Sequence, residues 1–159
     1  MSVSFVIFGA SGDLTSRKLI PALFRLHGQG RLPEGARIVG CSRSKFDDDD
    51  WRRELAESTE KFSGADFQAE TWEEFARAIS YHPLDISDAE AFRQLDQHLC
   101  ELESSDDEVT RIYYLATSPR LYATAAANLG AAGMASEEHG PRRIVIEKPF
   151  GIDLASARQ

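Results

Sequence analysis

Short apolar runs alternate with amphipathic stretches along the whole chain. The first run, FVIF, lies in a β-like segment over 4–9 that ends in the loop GASGD. Apolar residues then recur at helical spacing over 14–27, at Leu19, Ile20, Leu23 and Phe24 with His27, just before Gly28. Pro21 falls inside that stripe, so the helix must kink or divide into a short turn and a longer piece. Residues 31–35, with Pro33 and Gly35, read as a loop, and ARIVGCS at 36–42 reads as a second strand. A helix over 47–62 begins in acids, which its dipole favours there. Thr71 stands three residues before Glu74, the spacing of a capping box, and predicts a helix over 71–79.

The second half repeats the pattern. A weaker strand over 79–84 leads into Asp85, and Ser87 or Asp88 opens a helix through Leu102 with Phe92, Leu95 and Leu99 on one face. RIYYLAT at 111–117 is a strand, Ala-rich 119–132 a helix, and RRIVIE at 142–147 the last clear strand before Lys148-Pro149. Strands alternating with helices predict an α/β fold: a doubly wound, mostly parallel Rossmann-type sheet with helices on both faces.

Length and composition narrow the function. The 159 residues suit one domain, with 42% hydrophobic and 28% charged residues as in an ordinary globular chain. Apolar runs are too short to span a bilayer or to serve as a signal peptide. The two cysteines, Cys41 and Cys100, are expected to be reduced thiols in a cytoplasmic protein, and the histidines show no metal-ligand spacing. A net charge of -8 argues against a nucleic-acid partner but leaves a single nucleotide possible. The acids at 47–50 and 101–108 read as solvated surface. The chain ends soon after Ile152-Asp153-Leu154 begins a further helix-like stretch, so a piece of a longer polypeptide is expected.

Ligands of open α/β sheets bind at the carboxyl ends of the strands, beside helix N-termini. Gly9-Ala10-Ser11-Gly12-Asp13 lies at such a point. Gly9 permits the turn, Gly12 allows close approach to a pyrophosphate, and Ser11 and Thr15 add hydroxyl donors. The loop is G-x-x-G, with Thr15 where a dinucleotide fingerprint has its third glycine, so the helix should stand off or twist. A strand-to-helix turn without a ligand is the plain alternative. The second strand leads into Ser42-Arg43-Ser44 with no acid until Asp47. Arginine there suits the 2′-phosphate of NADP, where an acid would suit NAD. Lys148, after the last strand, can donate to a sugar hydroxyl or phosphate, or stand free in solvent.

Together GASGDLTSRKLIPALF, IVGCSRS, YYLATSPRLY and IVIEKPFG resemble the glucose-6-phosphate dehydrogenase family, in its order and spacing. The resemblance implies that Gly9, Ser11, Gly12, Asp13 and Leu14 form an NADP-binding loop and that Arg43 meets the 2′-phosphate. It also implies that Leu115, Ala116 and Thr117 line the cofactor near the nicotinamide, followed by Pro119 and Tyr122. Lys148 would touch both cofactor and sugar phosphate, and its bond to Pro149 is one the family holds cis. The family commonly carries two prolines after the fourth strand; Ser118-Pro119 supplies one. Such enzymes move a hydride from C1 of glucose 6-phosphate to NADP, with a His/Asp pair as base, and form homo-oligomers. His27, His82, His98 and His139 do not match that pair, which is expected downstream, so no catalytic residue is assigned in this chain. The alternative is a stand-alone, non-catalytic NADP-binding or sensing module. No tyrosine has a lysine four residues on and no G-K-[ST] follows the glycines, which excludes a short-chain reductase and a P-loop nucleotidase.

Overall fold

Residues 2–148 are described by the structure, a computed structural model. Five parallel strands form one sheet in the order β3-β2-β1-β4-β5: β1 (Ser2–Phe8), β2 (Arg37–Ser42), β3 (Ile79–Pro83), β4 (Val109–Leu115) and β5 (Arg142–Ile146). The helices are α1 (Ile20–Gly28), α2 (Asp48–Ser63), α3 (Ala69–Ala76), α4 (Ala89–Leu102) and α5 (Tyr122–Ala131). This is the doubly wound sheet the alternation predicts. Strand order reverses at β1, so the crevice between the carboxyl ends of β1 and β4 is the switch point.

The period-two alternation of each strand divides the core. Val6, Phe8, Val39, Cys41, Tyr113 and Leu115 turn to one face and pack with Phe92, Leu95 and Leu99 of α4 and Ala125 and Leu129 of α5. Ile7, Ile38, Ile79 and Tyr81 turn to the other face, against Phe24, Trp51, Leu55, Trp72 and Phe75. Gly40 is glycine for a packing reason: a Cβ there would lie 2.2 Å from the Trp51 ring. On β5 the apolar Ile144, Val145 and Ile146 are exposed.

Several local expectations change. The helix after β1 opens as a π turn over Thr15–Leu19, closed by the Ile20 amide on the Thr15 carbonyl, and continues as α1. Pro21 stands in the first turn of α1, directly after the π turn, so the helical stretch divides there into a short turn and a longer piece as expected. Thr71 does not cap a helix: α3 begins earlier, after Gln68, and the Trp72 amide bonds the Gln68 carbonyl, leaving Thr71 already inside a turn. The first and fourth strands begin two residues earlier than predicted and end earlier as well.

The acidic runs are not merely solvated. Asp47 caps α2 by accepting the Asp50 amide at 2.8 Å, and Asp48 accepts the Tyr81 amide at 2.7 Å. Glu103 is only 8% exposed and takes a forked contact from Arg111, itself buried, while Asp106 pairs with Arg37 at 2.5 Å. The expectations at Pro149 and at 152–154 lie outside the described residues.

Candidate functional site

A cleft of about 670 Å³ opens at the carboxyl ends of β1 to β4. Gly9 and Ser11 line it from the β1 loop, Cys41 to Ser44 from β2, Leu84 to Ser87 from β3, and Thr117 and Leu121 from β4. Adjacent parallel strands end side by side, so four segments far apart in sequence become one wall.

The β1 loop is tied down by its main chain. The amides of Gly9 and Ala10 both donate to the Cys41 carbonyl, at 2.9 and 3.1 Å, which clamps the loop to β2. Gly9 has φ +87°, and a Cβ would stand 2.2 Å from the Ala116 carbonyl oxygen, so β1 and β4 close here only around glycine. Gly12 spends its amide on the Gly9 carbonyl at 3.0 Å, and the Ser16 amide reaches back to Gly12 at 3.3 Å. Asp13 and Leu14 precede that bond, at the point where a helix leaves amides without intrahelical acceptors. Thr15 corrects one expectation. Its hydroxyl is fully buried and donates to the Gly9 carbonyl at 3.1 Å, so it braces the loop and offers nothing to a ligand.

The β2 wall is shaped by a residue that sequence reasoning missed. The Tyr81 hydroxyl donates to the Ser44 carbonyl at 2.7 Å and lies 2.7 Å from the Ser42 hydroxyl, which also accepts the Ser44 amide at 3.2 Å. Burial pushes the Tyr81 pKa up and keeps the phenol a donor. The turn carrying Arg43 is thereby held from beneath, and Arg43 stands exposed in the cleft wall. The Ser42 hydroxyl is committed to this clamp, which leaves Ser44 as the serine beside Arg43 for a ligand. Opposite, the hydroxyl and amide of Ser87, and more weakly Arg43, hold the Asp85 carboxyl below the usual carboxylate range.

At the switch point, Thr117 Oγ1 is buried without a hydrogen-bond partner among the described residues while its residue lines the cleft. A buried hydroxyl left unpaired costs about 1–3 kcal/mol, so a polar group arriving in the cleft suits it. A glycine-lined loop beside a helix start, an exposed arginine at the end of β2 and an unpaired hydroxyl after β4 fit a dinucleotide lying across the crevice.

The family model described as "Glucose-6-phosphate dehydrogenase, NAD binding domain" matches residues 6–159. The chain belongs to that family. It is 43% identical over 157 residues to the glucose-6-phosphate 1-dehydrogenase of Schizosaccharomyces pombe, covering 98% of this chain and 31% of the relative. The enzyme of Aggregatibacter actinomycetemcomitans is 38% identical over 153 residues, 96% of this chain and 31% of that one. A solved glucose-6-phosphate dehydrogenase in complex with its substrate glucose-6-phosphate superposes with a TM-score of 0.88 at 35% identity, over 98% of this chain and 32% of that chain. The Mycobacterium avium enzyme gives 0.84 at 28% identity, over 99% and 32%. The chain thus spans about a third of the length of the dehydrogenases it matches.

Within this dehydrogenase domain, the residues expected at the cofactor divide by position. Gly9, Ser11, Arg43 and Thr117 line the cleft. Ala116 sets its carbonyl against Gly9 without itself lining the cleft, and its amide continues the sheet to the Phe8 carbonyl at 2.9 Å. The Leu115 side chain is buried in the core, and the residue does not line the cleft. Asp13 is exposed and forms an ion pair with Arg17 at 3.6 Å. Pro119 opens a short 3-10 turn, Pro119–Leu121, and Tyr122 begins α5.

Tyr122 carries its hydroxyl to the Glu147 carbonyl at 3.4 Å, and Tyr114 donates to the Glu147 carboxylate. Burial and that carboxylate push Tyr114 up to about 12. Two tyrosines therefore hold the residue just before Lys148, which is itself exposed. None of the four histidines lines the cleft. His82 and His98, far apart in sequence, stack with ring centroids 5.2 Å apart between β3 and α4. The signal that could have found Tyr81, Asp85 and Ser87 is positional: polar residues near or just past the carboxyl end of a parallel strand, here the edge strand β3, stand at or beneath the wall of the crevice.

Proposed function

We propose that this chain is the NADP-binding portion of a glucose-6-phosphate dehydrogenase, serving hydride transfer from C1 of glucose 6-phosphate to give 6-phosphogluconolactone. The observation that carries the reading is the exposed Arg43, placed by the Tyr81 clamp at the end of β2 with no carboxylate beside it on that strand end. A planar guanidinium donates two parallel hydrogen bonds to a phosphate, and the Ser44 hydroxyl adds a third donor. The amides at the start of the helix after Gly12, with Ser11, take the pyrophosphate, and Ala116 and Thr117 flank the nicotinamide end.

NADP, when bound, supplies the hydride acceptor. The chain's own contribution is to hold and orient: Gly9 lets the loop close on β4, and Thr117 offers a hydroxyl that has no other partner among the described residues. Lys148, steadied through Glu147, donates to the sugar phosphate. The general base comes from outside the cleft residues described, in keeping with four histidines that all lie elsewhere. A cytoplasmic homo-oligomer, with neither nucleic acid nor membrane as partner, completes the proposal.

The test is a calorimetric titration with NADP and with NAD, before and after Arg43→Ala. NADP should bind more tightly, and the substitution should weaken NADP by about tenfold to a hundredfold while leaving NAD nearly unchanged. Equal affinity for both dinucleotides, untouched by the substitution, would contradict the 2′-phosphate assignment. The stand-alone binding module remains the competing reading. It is favoured if a chain extended with its native downstream sequence binds NADP yet never reduces it in the presence of glucose 6-phosphate.

A further inference from the structure

Resting on the NADP reading, we propose that a closed hydrogen-bond ring of Tyr81, Ser42 and Ser44 positions Arg43 and sets the preference for a 2′-phosphate. The Ser44 amide donates to the Ser42 hydroxyl oxygen at 3.2 Å, and that hydroxyl lies 2.7 Å from the Tyr81 hydroxyl. The Tyr81 hydroxyl is in turn 2.7 Å from the Ser44 carbonyl, which can only accept.

Chemistry fixes the direction of the ring. A phenol has one proton, and the Ser44 carbonyl takes it, with the Ser42 carbonyl at 3.2 Å as a longer second acceptor. The contact between the two hydroxyls therefore runs from Ser42 to Tyr81. Each hydroxyl donates and accepts, and both main-chain groups of Ser44 are satisfied. Ser42 and Ser44 flank Arg43, so the ring holds the backbone on both sides of it. Arg43 is exposed in the cleft wall, and its aim follows from that backbone.

The ring is anchored from below. Tyr81 is buried, its amide donates to the Asp48 carboxylate at 2.7 Å, and its ring meets Phe46 edge-on at 5.3 Å and Trp51 at 5.4 Å. The Leu84 amide, 2.8 Å from the Ser42 carbonyl, ties the same turn to the segment after β3. A guanidinium gives a phosphate two parallel hydrogen bonds only when its plane is correctly directed. NAD has no 2′-phosphate, so it gains nothing from that direction. Tyr81 and Ser42 are thus positioning residues that separate the two dinucleotides by acting through Arg43.

The experiment is a calorimetric titration with NADP and with NAD of the wild-type chain, Tyr81→Phe, Ser42→Ala and the double variant. Circular dichroism confirms each fold. Tyr81→Phe keeps the ring between Phe46 and Trp51 and removes only the oxygen. Each single variant should weaken NADP by roughly tenfold and NAD by less than about twofold. The double variant should lose little more than either single one, because a ring opened at one point is already open. Losses that multiply in the double variant, or that fall equally on NADP and NAD, overturn the ring and leave the two residues merely structural. A preference for NADP that survives both substitutions overturns it as well and leaves the cofactor site standing. A wild-type chain without any preference for NADP overturns this proposal and the NADP reading together. Where Tyr81→Phe does not fold, Ser42→Ala decides alone.

Discussion

Gly9 and Gly12 are written alike in the loop and do different work. Gly9 has a left-handed backbone and no room for a Cβ against the Ala116 carbonyl, whereas a Cβ at Gly12 would meet only the Gly9 carbonyl at 3.2 Å. Gly9→Ala should therefore destabilise the chain by about 2–4 kcal/mol, combining positive-φ strain with overpacking, and should abolish measurable NADP binding. Gly12→Ala should cost less than about 1 kcal/mol. Urea melts of the two variants check the contrast, and equal losses would contradict it. The same glycine pair shows what sequence reading reaches. A turn after a strand was legible from spacing, but the steric reason for Gly9 lies in a residue just past β4, more than a hundred positions away. Thr15 shows the converse: a hydroxyl beside the glycine-bearing β1 loop reads as a donor until its burial places it under the loop.

Among the elements, the strands and long helices were legible because burial repeats at periods of 2 and 3.6, as in β4, where Val109, Arg111, Tyr113 and Leu115 are buried and the residues between them only partly so. Helix starts were less so. Thr71 and Glu74 have capping-box spacing, yet the chain is already helical at Thr71, and only an extended residue serves as an N-cap. The stack of His82 on His98 was invisible, since nothing in either segment points to the other. It has a consequence for pH. Burial, then the neighbouring imidazole, lowers His82 below its ordinary value of 6.5. The unfolded chain consequently binds the proton more readily than the folded one. Stability should be full above pH 6.5 and fall as the pH drops below it, until His82 titrates in the folded state too. The lowered carboxylates Asp85, Asp106 and Glu137 act further down, at and below about pH 4. Melting temperature measured from pH 7.5 to 5.5 should decline in the wild type and less so in His82→Phe, which keeps a ring in the stack. Identical slopes would assign the decline to other groups.

Taken as a molecule, the sheet has two differently built ends. The carboxyl ends of its strands form the open cleft, while the amino ends are locked by a buried ionic cluster. There Arg111 contacts both Glu103 oxygens at 2.7 to 3.2 Å and Asp96 at 2.6 Å, and the Ser4 hydroxyl donates to Glu103 at 2.7 Å. Burial opposes its charge, but the two carboxylates outweigh it and push the Arg111 pKa up. Arg111→Met leaves Glu103 buried and unpaired, so it should cost about 3–5 kcal/mol in equilibrium unfolding, more than a surface arginine such as Arg53. A loss under about 1 kcal/mol would show that the cluster is not structural. A small cleft of about 220 Å³ also lies at this end, lined by Asp96, Cys100, Arg111 and His139 among others. The α/β alternation and three of the cleft's four segments were readable from sequence, the one after β3 being missed; that Glu103 leaves the acidic run to pair with Arg111 was not readable either, because charge runs carry no sign of which member folds inward.

The central claim is the location of the cofactor, and backbone amide chemical shifts followed during NADP titration test it most directly. The account predicts shifts concentrated at Gly9 to Leu14, Ser42 to Ser44, Leu84 to Ser87 and Ala116 to Thr117. Shifts gathered instead around Cys100, Arg111 and His139 at the opposite end of the sheet would contradict it.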